Sequence, residues 1–235
     1  VIKISSAKPS NAFIVYFHGG GFVMSGNHAH YDFITKLSKM MQMTCYYIDY
    51  PLAPTSKADE TNVRLKKILS QIQEQENQKE MILLGDSAGG NLALVLSQSF
   101  EQTRKVILLS PWLDLTMSNK EIDVIEEKEI MFSKNDLLKA AKDYQGNLSL
   151  SNPLISPINS EFSDKEILMI AGSDDILYPD MVKFYQQEPS TKFHSFIGLK
   201  HDFMFLANGR ERMMVYNIIL DFLKGKTHQD KELSQ

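Results

Sequence analysis

Hydrophobic residues along this chain come in short, unbroken runs that end at Gly, Pro, Ser or Asp. Five runs stand out, at residues 12–17, 44–50, 81–84, 105–110 and 166–172. Such runs are typical of strands buried on both faces, which occur in parallel sheets covered by helices. A sixth run, at 192–198, alternates more between apolar and polar positions, so we place it near an edge of the sheet.

Between these runs, apolar residues recur at the spacing of amphipathic helices. The apolar stripes lie within residues 30–43, 60–76, 91–100 and 210–224. A strand followed by a helix, repeated along a chain, produces right-handed crossovers. The pattern therefore predicts a three-layer α/β domain, with a mostly parallel central sheet and helices on both faces.

Residues 113–163 interrupt this alternation, because they contain no obvious strand. They do contain a predicted helix, with Ser133 as its N-cap, Asp136 completing a capping box and Gly146 ending it. About 50 residues between two core strands is too long for a plain connection. We interpret 113–163 as an insert that acts as a lid or as a wall of a substrate pocket.

The composition is that of an ordinary globular protein of 235 residues, with 43% hydrophobic and 23% charged positions. This length suits one domain over 1–235, with a polar and flexible tail at 225–235. The net charge is −4, from 25 basic and 29 acidic residues. No dense basic stretch is present, which argues against a nucleic-acid partner.

The sequence contains few signals that indicate a cellular location. The single cysteine, Cys45, allows no intramolecular disulfide, and no apolar run reaches the roughly 18 residues that span a bilayer. The first ten residues lack the pattern of a signal peptide, so we expect a cytoplasmic protein. They also lack an initiator methionine, and we expect that a preceding segment has been removed or left out. The sequence leaves the oligomeric state open.

Chemistry is first indicated by a serine between glycines. The stretch GDSAG at 85–89 fits Gly-x-Ser-x-Gly, and it joins the predicted strand at 81–84 to a helical pattern. This is the context of a nucleophile elbow, where a strained turn exposes the hydroxyl of Ser87. The following helix directs its N-terminal dipole at developing negative charge. The alternative is a glycine-rich turn without chemistry.

A second motif, HGGG at 18–21, ends the first long strand. Three successive glycines cost backbone entropy and are unusual at a routine strand end. They are expected where backbone amides must turn toward a ligand. With the amide of Ala88, the amides of Gly20 and Gly21 are candidates for an oxyanion hole.

Together, HGGGF, GDSAGGN, SPWLDL and LKHDF resemble the hormone-sensitive-lipase-like branch of the α/β-hydrolase superfamily, whose members are mostly carboxylesterases. The resemblance extends from about residue 12 to residue 224 in the family's order. It implies an α/β-hydrolase fold and a triad in the order serine, acid, histidine. It also implies that His18 is structural.

The same resemblance places the general base at His201, in the loop after the last strand. A histidine at the C-terminal end of a strand reaches the edge of the sheet where α/β proteins bind ligands. The alternative is a solvated loop histidine. The chain's other histidines lie elsewhere: His28 and His30 at the start of a helix and expected on the surface, His194 within a strand and His228 in the tail.

The acid lies in AGSDDILYPD, where Asp174 and Asp175 compete. In α/β hydrolases the acid commonly stands three residues after a glycine and four before a proline. That spacing selects Asp175, between Gly172 and Pro179, and leaves Asp174 as the alternative.

Asp202, beside the predicted base, departs from the family, which usually has glycine there. A carboxylate next to the imidazole of His201 would raise its pKa and shift the pH optimum upward. This hypothesis rests only on adjacency in the sequence.

The predicted activity is hydrolysis of small carboxylic esters with short to medium acyl chains, through an acyl-enzyme on Ser87. No His, Cys or Asp cluster has the spacing of metal ligands, and the mechanism requires no metal or cofactor. The alternatives are acyl transfer or peptide cleavage by the same triad, and a non-catalytic small-molecule binder on this scaffold. Candidate residues for the pocket walls are Phe22, Trp112, Met117, Ile122, Ile125, Ile130, Met131, Phe132, Leu137 and Leu138.

The family usually carries an N-terminal helical cap before its first strands. This chain begins too close to HGGG to hold such a cap, so we expect an unusually open site or an incomplete copy of the protein.

Overall fold

A computed structural model describes residues 1–6, 8, 10–206 and 209–225, and its centre is a seven-stranded sheet. The strand order is β1-β3-β2-β4-β5-β6-β7, and every pairing is parallel except that of β1 with β3. The strands are β1 (Ile2–Ile4), β2 (Ala12–Phe17), β3 (Cys45–Ile48), β4 (Glu80–Asp86), β5 (Lys105–Leu109), β6 (Glu166–Gly172) and β7 (Lys192–Phe196).

Helices cover both faces of this sheet. They are α1 (His28–Met41), α2 (Ala58–Gln75), α3 (Ala88–Ser97), α4 (Glu121–Ile125), α5 (Lys134–Gln145), α6 (Tyr178–Gln187), α7 (Phe203–Leu206) and α8 (Arg210–Leu223). One buried cluster joins a face of the sheet to α2, α3 and α6, and includes Leu65, Leu92 and Phe184. The other face packs on α1 and α8 through residues such as Ile34 and Ile219. The predicted three-layer α/β-hydrolase architecture is confirmed.

All six apolar runs form strands, and β7 lies at an edge of the sheet as its alternation predicts. Four elements escaped prediction: the short helices α4 and α7, the strand β1 and the helix α6. The strand β1 has only three residues, none of them buried, so it leaves no apolar run in the sequence. The helix α6 begins with Tyr178-Pro179, inside a stretch that stood out in the sequence only for its aspartates.

The insert at 113–163 contains α4, α5 and two short 3₁₀ turns, and no strand. Ser133 caps α5 as predicted: its Oγ accepts from the amide of Asp136 at 3.2 Å, and Asp136 Oδ2 accepts from the amide of Ser133 at 2.9 Å. Gly146 ends the helix with φ +61°. The lid role of the insert stays a prediction, and residues 226–235 of the predicted flexible tail lie outside the described residues.

Within the described part of the chain, no helix combines the length and apolar character needed to cross a lipid bilayer.

Candidate active site

Ser87 occupies a strained turn between β4 and α3. Its backbone has φ +51° and ψ −120°, a conformation that costs a non-glycine residue of order 1–3 kcal/mol. The turn requires its glycines: a Cβ on Gly85 would lie 2.2 Å from the carbonyl oxygen of Gly89, and one on Gly89 would lie 2.1 Å from that of Phe17. The strand and the helix therefore approach as closely as a nucleophile elbow demands.

The triple-glycine segment follows β2 directly and lies beside this turn. Gly20 and Gly21 have φ of +113° and +60°, and positive values of φ favour glycine. Both residues line the same cavity as Ser87. The first amide has another task, because the N–H of Gly19 donates to Asp86 Oδ2 at 2.8 Å. Ala88, the third predicted oxyanion donor, is the first residue of α3 and is buried.

Asp86 anchors this arrangement, although no sequence motif assigned it a role. Besides Gly19, its carboxylate accepts from the hydroxyl of Tyr16 and lies 3.3 Å from His30 Nε2. The backbone N–H of Asn27 donates to His30 Nδ1 at 3.0 Å, so the ring proton sits on Nε2, facing Asp86. The prediction that His30 lies on the surface is wrong, because this contact buries the ring, whereas His28 is exposed as expected. The one available signal was the position of Asp86, directly before the serine.

His201 follows β7 in a loop and meets Asp175. Its Nδ1 lies 3.0 Å from both carboxylate oxygens of Asp175, and both side chains are buried. The N–H of Leu177 donates to Asp175 Oδ1 at 2.9 Å and fixes the carboxylate further. Asp174 points elsewhere, with its Oδ1 3.3 Å from Lys128 Nζ. The structure thus brings Asp175, and not Asp174, to the histidine.

The other ring nitrogen of His201 also faces a carboxylate. Its Nε2 lies 3.2 Å from Asp202 Oδ2. Burial alone would lower the pKa of the imidazole, but the charges of Asp175 and Asp202 outweigh burial and raise it well above its ordinary value. Burial raises the pKa of Asp202 to about 6, against the opposing charge of His201 and with a further increase from Asp86.

Ser87, His201, Asp202, Gly20 and Gly21 line one cavity of about 320 Å³. Its remaining wall is largely apolar and includes Val23, Met24, Met131, Phe132, Leu137, Ala140, Phe205 and Leu206. The cavity therefore combines the polar groups of Ser87 and His201 with a largely apolar wall, as ligand sites commonly do.

The pocket candidates named from the sequence divide into two groups. Met131, Phe132 and Leu137 line the cavity. The others do not: Phe22, Trp112, Met117 and Ile122 are core residues, Ile125 and Leu138 pack against the core, and Ile130 is 79% exposed. Periodicity could not separate these groups, because the insert contributes to the core and to the cavity at once.

Among residues 1–6, 8, 10–206 and 209–225, no three His, Cys, Asp or Glu side chains lie close enough together to hold a metal ion. Burial raises the pKa of the Cys45 thiol to about 12, which disfavours the thiolate that a nucleophile requires.

Comparison with known proteins gives the family. Residues 14–205 match a family described as having the alpha/beta hydrolase fold. An esterase of Acinetobacter venetianus is 27% identical over 213 residues, covering 86% of this chain and 70% of its own length. A triacylglycerol lipase of Mycobacterium tuberculosis is 27% identical over 164 residues, covering 67% of this chain and a third (33%) of its own length.

Among solved structures, a hormone-sensitive lipase from a metagenome library superimposes with a TM-score of 0.86. It is 22% identical, and the match covers 96% of this chain and 81% of that one. At 22% identity, the structural similarity shows that the two chains share a fold and nothing more. Residues 14–205 cover most of the chain, and the chain therefore belongs to this family with the alpha/beta hydrolase fold.

Proposed function

We propose that this chain is a serine carboxylesterase that hydrolyses small carboxylic esters with short to medium acyl chains. Similar proteins support ester hydrolysis as the class of reaction, because relatives in the family are named esterase, carboxylesterase and lipase. The observation that carries the proposal is local. Ser87 and His201 line one cavity, and the carboxylate of Asp175 contacts Nδ1 of His201.

In the proposed mechanism, Ser87 Oγ attacks the ester carbonyl while His201 Nε2 takes its proton. Asp175, on Nδ1, keeps the tautomer that leaves the Nε2 lone pair available and stabilises the imidazolium that forms. The same Nε2 proton then goes to the departing alcohol. Water hydrolyses the acyl-enzyme by the reverse route, and Ser87 regains its hydroxyl.

The developing oxyanion would be held by the amides of Gly20, Gly21 and Ala88. The positive φ of both glycines and the position of Ala88 at the start of α3 support this role. Loss of one such donor costs about 3–4 kcal/mol of transition-state stabilisation in comparable enzymes.

Acyl selectivity is proposed from the size and wall of the cavity. About 320 Å³ lined mainly by apolar side chains is at the small end of ligand pockets. It suits a short or medium acyl chain, and Met24 and Met131 supply adaptable thioethers.

Covalent labelling tests the proposal. A fluorophosphonate should add one adduct to Ser87, located by mass spectrometry of peptides, and the Ser87→Ala variant should take none. Ser70→Ala is the control, because Ser70 is exposed on α2 and bonds only to the carbonyl of Lys66 among the contacts seen. Intact labelling in Ser87→Ala, or none in the wild type, would contradict the proposal. The rates of hydrolysis of p-nitrophenyl esters from acetate to decanoate measure the preference for acyl-chain length.

A further inference from the structure

His201 has carboxylates at both ring nitrogens. Asp175 lies 3.0 Å from Nδ1, and Asp202 Oδ2 lies 3.2 Å from Nε2. In the proposed function, which this inference deepens and on which it rests, Nε2 is the atom that takes the proton of Ser87. Asp202 therefore lies against the ring nitrogen of His201 that is proposed to act as the base.

The contact between Asp202 and His201 is largely buried, and few other groups compete for the carboxylate of Asp202. The side chain of Asp202 is 13% exposed, and its Oδ1 has no hydrogen-bond partner among the residues that the structure describes. Because little solvent screens the contact, the interaction between this carboxylate and the imidazole is stronger than at an exposed site.

The charged and titratable groups around the pair come from several elements. Asp175 faces His201 from the loop after β6, and Asp86 faces Asp202 from the end of β4. His30 from α1 and Tyr16 from β2 also lie within electrostatic reach of Asp202. Asp175 and Asp202 both favour a proton on His201.

We propose that Asp202 is a positioning residue that holds His201 through Nε2 while the ring is protonated and releases it when that proton leaves. The contact thereby sets the pH at which the base becomes available to Ser87.

The proton balance explains the release. In the protonated ring, Nδ1–H donates to Asp175 and Nε2–H donates to Asp202. Loss of the Nε2 proton to water leaves a lone pair opposite a carboxylate, with no hydrogen between them. Attraction then becomes repulsion, and Nε2 is free to accept the hydrogen of Ser87 Oγ.

The sign of the pH effect follows. Only the neutral ring is a base, so activity rises with pH through the pKa of His201. Asp202 favours the charged ring and moves this acid limb upward. Removing the carboxylate should therefore lower the limb, by about 1–3 pH units for a close opposite charge.

The backbone allows a clean test. Asp202 has φ +51°, a left-handed conformation that glycine and asparagine adopt more readily than other residues. Asp202→Asn and Asp202→Gly remove the charge without new strain. Asp164→Asn is the matched control, because it also removes one carboxylate. Asp164 pairs with Lys165 just before the N-terminal end of β6, whereas His201 and Asp202 follow the C-terminal end of β7.

Two measurements are needed. The first is the pH dependence of kcat/KM on a p-nitrophenyl ester. The second is the titration of His201 by NMR in ¹⁵N-histidine-labelled protein, with the resonance assigned by its absence in His201→Gln. Both Asp202 variants should lower the acid limb and the NMR pKa together. Activity at a pH below the wild-type limb should then rise about tenfold for every pH unit by which the limb moves down. Asp164→Asn should match the wild type.

An active enzyme whose limb or NMR pKa stays in place in both Asp202 variants would overturn this inference and leave the esterase proposal intact. A chain that hydrolyses no ester and takes no fluorophosphonate would instead overturn the proposed function, and the inference with it. In that case the NMR titration still shows whether Asp202 governs the charge of His201.

Discussion

At the scale of single residues, two adjacent aspartates face different partners. Asp175 is buried against His201, whereas Asp174 contacts Lys128 at the surface. Asp175→Asn should lower kcat by about 10⁴-fold, because an amide cannot stabilise the imidazolium and favours the wrong tautomer. Asp174→Asn should stay within about twofold, since it removes only a partly exposed ion pair. Steady-state kinetics on one ester measure both, and the reverse order would make Asp174 the acid.

At this scale, the sequence was enough to find a site residue that belongs to a short motif. It was not enough where the position of a side chain depends on a contact with a residue far away in the sequence. The serine turn and the late histidine could be found by pattern. The burial of His30 could not, because it depends on Asp86, which is 56 positions away and reaches the ring only after β4 and α1 have packed. Likewise, adjacency predicted that Asp202 would affect His201, but only the fold shows which ring nitrogen it faces.

At the scale of elements, Asn91 connects α3 to the insert. Its Nδ2 donates to the carbonyls of Trp112 and Ile155, each at 2.8 Å, and it is fully buried. Asn91→Ala would leave both carbonyls without this donor in the interior. We expect a loss of about 2 kcal/mol or more in the free energy of unfolding, measured by urea denaturation.

The control for that prediction lies at the other end of the same helix. Gln98 also donates an amide hydrogen to the insert, to the carbonyl of Glu161 at 3.5 Å, but at an exposed position. Gln98→Ala should change the free energy of unfolding by no more than about 0.5 kcal/mol. Equal losses in the two variants would show that the buried amide of Asn91 has no special part in fixing the insert.

Element prediction depended on how much of an element is buried. The strands β2 and β6 agree with their apolar runs at both ends, and each is covered by helices on two faces. The strand β1 is held differently, by antiparallel pairing with β3 and by an ion pair of 2.9 Å between Lys3 and Glu76. A three-residue strand stabilised by long-range contacts leaves no periodic signal in the sequence.

At the scale of the whole molecule, the cavity exists only because distant segments converge. The glycine loop, the serine turn, the insert and the region after His201 each supply part of its wall. The sequence predicted that the insert borders a site, but not which face of α5 turns toward it. Leu137 and Ala140 do so, while the exposed face carries Lys139.

This geometry gives a test of acyl selectivity. The Cβ of Ala140 lies 3.6 Å from where a Cβ on Gly21 would stand, so the two residues wall the cavity near the proposed oxyanion hole. Ala140→Leu should therefore shorten the space for an acyl chain and lower kcat/KM for the hexanoate ester about tenfold relative to acetate. Lys139→Leu adds a leucine to the exposed face of the same helix and should leave the ratio unchanged. If Ala140→Leu depresses both esters equally, or alters neither, the acyl chain binds elsewhere and the cavity wall does not set chain length.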